Sequence, residues 1–335
     1  MRWGQSYWQE ITQNLDEIIK RYPAIQPDDF FLAYWSSRGK GYASKTKIFA
    51  LMENFITCEN VEEHLHAMRL DSNIYRYIFD ADYNYLPSQH QKLFNPEQNR
   101  RFLPHLEALK LFKSYQVSPL LISLLRGVLE GRIKLRRAEE FLVVLEKYHC
   151  ADVAIVKSPN NKFTRFFAEA ASDLYLASTS NPRLVKNTLQ MVRDELKKHY
   201  PELQVFSTHF CKLKYTLNSD NHFLRYVLDS LHRAQDLSIP HEGIESMNIE
   251  HLIPRSAIGE GVSFVDSLGN LILVDRETNT AKLKNLPFEQ KQKILRKLRY
   301  GVPHEVIHAQ QWTEKGIKER TMRLARLAYT KVWNF

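Results

Sequence analysis

Two adjacent residues, Glu250 and His251, combine a carboxylate with an imidazole just before Pro254. Histidine takes up protons near neutral pH, and carboxylate oxygens are ligands that hard divalent cations prefer. Hydrolysis of a phosphodiester needs both properties, because a water must lose a proton and the charge on the phosphate must be neutralised. On a strand the two side chains would face opposite ways, so they could divide these tasks once Pro254 bends the chain.

Two asparagines further along the chain could complete such a site. Asn279 offers an amide oxygen as a second metal ligand. Asn270 could form hydrogen bonds across the intervening loop and hold His251 in orientation. Each residue alone also has an ordinary explanation, such as a surface pair, a turn residue or an exposed helix residue. Their combination in this order favours a chemical role.

The segment that carries these residues has the pattern of two strands followed by a helix. Residues 247–254 alternate apolar and polar positions and end at a proline, which predicts a short strand. Residues 268–274 predict a second strand with a β-branched centre. Asp275 is a good capping residue for a helix that begins there.

The residues before this segment have the pattern of helices, since apolar residues recur at three- and four-residue spacing, as between Phe102 and Phe112. We therefore predict a mostly α fold in three parts. A helical body (residues 1–240) would position a partner or DNA, a module of two strands and a helix (241–300) would carry the chemistry, and a C-terminal helix (301–335) would brace it.

The composition narrows the classes of protein that fit this chain of 335 residues. A net charge of +9 favours a polyanionic partner such as DNA. The three cysteines lie far apart, which predicts neither a disulfide framework nor a zinc ribbon. The N-terminal residues lack the apolar run of a signal peptide, and the longest apolar stretch is too short to cross a bilayer. We therefore expect a cytoplasmic protein with no membrane partner.

Aromatic and basic residues each have two interpretations. Six aromatic residues are predicted to be core residues of a helical array, with a base-stacking surface as the alternative: Phe163, Phe166, Phe167, Tyr175, Phe223 and Tyr226. Seven basic residues follow Asn279, and they fit either DNA binding or a solvated helix: Lys282, Lys284, Lys291, Lys293, Arg296, Lys297 and Arg299. We predict DNA contacts for Lys282 and Lys284, because they lie nearest the site in sequence.

The order Glu-His-x-x-Pro, Gly-Asn-Leu and a final asparagine resembles the HNH (ββα-metal) endonuclease motif, in the variant that ends in asparagine. The resemblance implies that Glu250 and Asn279 are metal ligands, that His251 is the general base and that Asn270 orders the loop. It also implies one Mg²⁺ or Mn²⁺ ion per site. The flanking cysteine pairs that bind structural zinc in some HNH proteins are absent.

A longer stretch, from GNLILVD through KNLPFEQKQKIL to Trp312, Ile317 and Arg320, resembles the C-terminal nuclease part of GmrSD-type, modification-dependent restriction endonucleases. The resemblance implies a DNA endonuclease that restricts foreign, modified phage DNA in a defence system. Fused members begin with a ParB-like, nucleotide-hydrolysing domain that carries an Asp-Gly-Gln-Gln-Arg motif. That motif does not occur here, so we predict no nucleotide site in this chain and a separate ParB-like partner subunit.

Two other functions stay open at this point. The chain could be a catalytically silent DNA-binding or scaffold subunit, in which case removing His251 would change nothing measurable. It could also be a nickase or a ribonuclease that uses the same site, since the chemistry of cleavage is the same. One active site cuts one strand, so a double-strand break would need a homodimer or two successive nicks.

Overall fold

The computed structural model describes residues 2–88, 95–159, 161–241, 243–257 and 263–335. The fold is mostly helical, as predicted, and the described residues contain two strands. None of the helices in these ranges has both the length and the apolar composition that crossing a membrane requires.

The chain divides into two compact units. The first comprises residues 1–149 and 158–199, and the second comprises residues 150–157 and 200–335. The second unit thus begins well before the strands, whereas the sequence pattern places a domain boundary near residue 240.

The first unit is built from helices whose apolar faces meet in a common core. In chain order they are α1 (Arg2–Arg21), α2 (Pro27–Trp35), α3 (Ile48–Phe55), α4 (Val61–Asp80), α5 (Pro96–Leu111), α6 (Ser118–Leu129), α7 (Leu135–Tyr148), α8 (Thr164–Ser180) and α9 (Pro182–Lys198). Phe102 and Phe167 are fully buried, and Phe163 is nearly so, which agrees with the core interpretation of those aromatic residues. Arg126 is also fully buried and donates hydrogen bonds to both carboxylate oxygens of Asp71.

The second unit surrounds one antiparallel hairpin with helices. Its elements are α10 (Leu203–Phe210), α11 (His222–Ala234), β1 (Met247–His251), β2 (Leu271–Asp275), a short helix that we call the site helix (Thr278–Leu283), α12 (Phe288–Leu295), α13 (His304–Ile307) and α14 (Glu314–Leu327), followed by a last helical segment (Ala328–Val332). Two strands and a short helix thus follow one another in the predicted order, whereas residues 258–262 of the predicted loop lie outside the described residues.

The hairpin register places Met247 opposite Asp275 and His251 opposite Leu271. β1 ends at His251, because the pairing is only half made at the next position: the amide of Leu252 donates to the carbonyl of Asn270 at 2.9 Å, but the amide of Asn270 donates to Ser267 at 2.8 Å and not back to Leu252. The apolar centre of β2 is buried, as expected for β-branched residues packed on both faces. One core cluster joins the hairpin to the helices after it: Leu252, Ile272, Val274, Leu283, Phe288, Leu295 and Val306.

Helix α14 packs against the turn that enters β2 so closely that only glycine fits there. A Cβ atom on Gly269 would lie 2.1 Å from the carbonyl oxygen of Ile317 and 2.4 Å from Oγ1 of Thr321. The buried Arg320 of the same helix donates to the carbonyls of Gly269 and Leu271 at 2.8 and 2.9 Å. The C-terminal helix thus fixes the start of β2, where Asn270 lies.

Candidate active site

Asn270 is completely buried and joins the two ends of the loop that connects the strands. Its Nδ2 donates to the carbonyls of Ile253 and Val265 at 2.9 and 2.7 Å. Its Oδ1 accepts from the amide of Ile253 at 2.9 Å and from the indole of Trp312 at 3.2 Å. All of the amide's donor and acceptor directions are therefore used to hold the chain just after His251 and just before Asp266.

His251 lies in a pocket formed by Asp266, Tyr215 and Arg255. Its Nε2 lies 3.2 Å from Oδ1 of Asp266, and its ring makes an edge-on contact with Tyr215 at a centroid distance of 4.8 Å. Nε of Arg255 lies 3.1 Å from the same carboxylate oxygen. A neutral imidazole that donates Nε2–H to Asp266 keeps its lone pair on Nδ1, which is then the nitrogen that can accept a proton.

The charge state of His251 follows from its surroundings. Burial lowers the pKa of His251, and the positive charges of Arg255 and Lys291 act in the same direction, while Asp266 opposes them. The net effect is a pKa below the ordinary value, so the imidazole is neutral at physiological pH. A neutral imidazole is the form that a general base requires.

Glu250 and Asn279, the two residues expected from the motif to be metal ligands, are in direct contact. Nδ2 of Asn279 lies 3.0 Å from Oε2 of Glu250 and 3.1 Å from the carbonyl oxygen of Ile249. The site helix therefore lies against the middle of β1, and the side chains of Glu250 and His251 form separate contacts on the two faces of that strand.

Lys291 joins these two contact networks. Its Nζ lies 2.5 Å from Oε1 of Glu250 and 2.6 Å from the carbonyl oxygen of His251. The lysine side chain is 1% exposed and the glutamate side chain 7%. Burial raises the pKa of Glu250, and the nearby ammonium partly offsets this by favouring the charged carboxylate.

In the structure Nδ2 of Asn279 faces Glu250, and Lys291 contacts the other carboxylate oxygen of Glu250. The two residues would offer two oxygen ligands to a hard cation if the Asn279 amide turned so that Oδ1 replaced Nδ2. Among the described residues, no group of three or more His, Cys, Asp or Glu side chains is arranged to hold a metal. The remaining ligands would thus be waters and substrate oxygens, which is common for Mg²⁺.

The structure places the basic residues that follow Asn279 in different environments. Lys282 forms an ion pair with Glu277 at 2.9 Å, and Lys284 is exposed. Lys291 is buried at Glu250 instead of facing solvent, and Arg296 donates to the carbonyl of Ile307 at 3.0 and 2.7 Å. Lys291 and Arg296 thus have structural partners.

Asp266 and Lys291 were not among the site residues predicted from the sequence. For Lys291 a signal exists, since α12 buries Phe288, Lys291 and Leu295, and the lysine occupies a position where helical spacing calls for an apolar residue. Asp266 lies in a polar loop whose path depends on Asn270, and no local pattern distinguishes it.

The second unit also matches a known family. Residues 200–327 match the family model of the C-terminal domain of GmrSD restriction endonucleases. The match covers most of the second unit, including the hairpin, the site helix and the supporting helix α14, and it supports a GmrSD-type nuclease. No curated protein matches the chain.

Proposed function

We propose that this chain is a metal-dependent HNH endonuclease that hydrolyses phosphodiester bonds of DNA. The observation that carries the proposal is the pairing of residues on the two faces of β1. His251 contacts Asp266 on one side, and Glu250 contacts Asn279 on the other, at 3.2 and 3.0 Å. β1 thus carries the proposed general base on one face and one proposed oxygen ligand on the other, and the site helix supplies the second ligand.

In this mechanism His251 takes the proton from the attacking water at Nδ1. Asp266 accepts the Nε2–H hydrogen bond, which fixes the tautomer and stabilises the imidazolium that forms. Asn270 holds the loop on both sides of this pair, through Ile253 and Val265. Because burial keeps His251 neutral before the reaction, the base is ready to accept a proton at physiological pH.

Glu250 and Asn279 would hold one Mg²⁺ or Mn²⁺ ion. Bound there, such an ion would neutralise charge on the phosphate and on the leaving oxygen. The ammonium of Lys291 favours the charged form of the buried Glu250 carboxylate and also contacts the backbone carbonyl of His251. The lysine therefore sets the relative position of the base and the metal ligand.

The biological role that we propose is restriction of foreign phage DNA, including modified DNA, in a defence system. The support is the match of residues 200–327 to the GmrSD C-terminal domain. On this proposal a ParB-like, nucleotide-hydrolysing subunit is the partner, and Lys282 and Lys284 contact the DNA backbone.

The test is cleavage of supercoiled plasmid by the full chain in Mg²⁺ or Mn²⁺, with the partner subunit added in parallel. We expect cleavage that EDTA abolishes and that His251→Ala reduces by at least about a hundredfold, the usual contribution of a general base. Full activity in EDTA would show that cleavage needs no metal, and full activity of His251→Ala would show that His251 is not the general base.

One observation favours a second candidate, a silent DNA-binding subunit. The ammonium of Lys291 already neutralises Glu250, and the described residues hold no larger group of metal-binding side chains. That candidate predicts tight DNA binding with no metal-dependent cleavage of plasmid, modified phage DNA or RNA. The three substrates also separate a DNA endonuclease from a ribonuclease, and supercoiled plasmid separates a nickase from an enzyme that cuts both strands.

A further inference from the structure

A large cleft opens beside the site helix in the second unit. Its volume is about 760 Å³, and three stretches of chain form its walls: residues 239–241 with Ser246, residues 275–278 with Lys282, and residues 297–300. This volume lies in the range of ligand-binding clefts.

The cleft has more positively than negatively charged side chains, and only some of the positive ones form ion pairs. Four of its lining residues are cations and two are carboxylates. Both carboxylates have partners, because Glu277 pairs with Lys282 at 2.9 Å and Asp275 accepts the hydroxyl of Tyr300 at 2.7 Å.

The other three cations line the same cleft without a carboxylate partner. Within the described ranges no ion pair forms to the side chains of Arg276, Lys297 or Arg299, and all three are exposed. They come from two separate stretches of chain that converge on one space, whereas cations on a solvated helix spread over several faces. A concave, exposed and uncompensated positive surface binds phosphate groups.

The cleft is next to residues of the candidate active site, which points to phosphates close to the bond that is cut. Thr278 lines the cleft, and the next residue, Asn279, contacts Glu250. β1 begins at Met247, next to Ser246, which also lines the cleft, and it ends at His251. At about 3.3 Å per residue, the end of β1 beside the cleft, at Met247, is therefore about 13 Å from His251.

We infer that this cleft binds the sugar-phosphate backbone of the nucleic acid on one side of the cleaved bond, through Arg276, Lys297 and Arg299. The inference rests on the proposed nuclease function and adds to it the surface that positions the substrate. Lys284, which follows the site helix and does not line the cleft, is secondary in this arrangement.

The experiment measures binding without cleavage, by fluorescence anisotropy of a labelled DNA duplex with the full chain in EDTA at several salt concentrations. The test variant is Arg276→Ala/Lys297→Ala/Arg299→Ala. Each lost phosphate contact lowers the slope of log K against log salt by about 0.9, so the triple variant should lower it by about 2 to 3. Its dissociation constant at low salt should rise by at least about tenfold.

The matched control removes the same charge elsewhere in the unit, as Lys315→Ala/Arg326→Ala/Lys331→Ala, at exposed positions outside the cleft. We expect this control to bind like the wild type. Equal losses in the two triple variants would overturn the inference, because net charge alone would then explain binding. An unchanged slope in the cleft variant would also overturn it.

Two further arms separate this inference from the nuclease proposal and from a different ligand. If the wild type cleaves plasmid while the cleft variant binds DNA normally, the cleft assignment fails and the nuclease stands. If cleavage never occurs but the cleft variant loses DNA binding, the cleft assignment holds and the nuclease proposal fails. Displacement of labelled DNA by micromolar ATP or GTP would identify the cleft as a nucleotide site and would overturn the inference.

Discussion

Lys291 and Glu250 form a buried ion pair, with Nζ 2.5 Å from Oε1 and both side chains almost entirely removed from solvent. The same ammonium also contacts the carbonyl of His251 at 2.6 Å. A buried charge without its partner is strongly destabilising, whereas a matched apolar or neutral pair is tolerated. The pair therefore makes specific predictions about single and double substitutions.

Lys291→Met should lower the free energy of unfolding by about 3 kcal/mol, because it leaves the Glu250 carboxylate buried and uncompensated. Urea unfolding followed by circular dichroism measures this change. The double variant Glu250→Gln/Lys291→Met should recover most of the loss. A single variant that costs less than about 0.5 kcal/mol, the scale of neutral surface changes, would show that the pair is not stably buried.

Asp266→Asn should reduce the cleavage rate by about ten- to a hundredfold with little change in substrate affinity, because the hydrogen bond that orients His251 is lost. The structure provides a matched control in Asp220→Asn, since Asp220 also neighbours a histidine, His222, at 3.6 Å but at an exposed position. Single-turnover cleavage with excess enzyme gives the rate. Equal rates for Asp266→Asn and the wild type would remove Asp266 from the mechanism.

Gly269→Ala should destabilise the protein by about 3 kcal/mol, the upper end of the usual cost of overpacking, because the new Cβ meets the backbone of α14 at Ile317. Gly316→Ala is the control, since its Cβ would lie no closer than 3.6 Å to another residue and alanine favours a helix. Thermal melting compares the two. A stable Gly269→Ala protein would contradict the close packing of α14 on the turn before β2.

Stability should decrease as the solution becomes more acidic than about pH 6.5, partly because of His232. Burial lowers the pKa of this histidine, although its hydrogen bond to the carbonyl of Ser238 opposes the shift. The unfolded chain therefore takes up a proton at a pH where the folded chain does not, and the folded state loses stability as the pH falls through this window.

The variant His232→Gln removes this titration. We expect its unfolding free energy to fall less steeply than that of the wild type between pH 7 and pH 5, by at most about 1.4 kcal/mol per pH unit. Parallel curves for the two proteins would show that His232 does not contribute to the acid dependence.

The local patterns of the sequence predict the helical fold and the order of the hairpin well. Alternation predicted the strand at 247–254, which the structure shortens to Met247–His251, because the amide of Asn270 bonds Ser267 and does not continue the pairing with Leu252. The structure brings Glu250 and Asn279 into hydrogen-bond contact, which the sequence did not predict. The proposed roles of the four motif residues remain predictions.

Features that depend on distant parts of the chain were not accessible to the sequence argument. Asp266 approaches His251 only because Asn270 holds both ends of the loop, and that arrangement needs Trp312 from the C-terminal part. Lys291 was grouped with DNA-facing lysines, although its helical position among apolar residues places it in the core. The charge composition of a sequence does not show whether a given lysine is buried beside a carboxylate or exposed to solvent.

The decisive experiment is plasmid cleavage by the wild type and by His251→Ala, with and without metal and with the partner subunit present. We expect the wild type to cut in Mg²⁺ or Mn²⁺, EDTA to stop it, and His251→Ala to be silent although it still binds DNA. Cleavage by His251→Ala at the wild-type rate would exclude His251 as the general base, because another group would then have to activate the water.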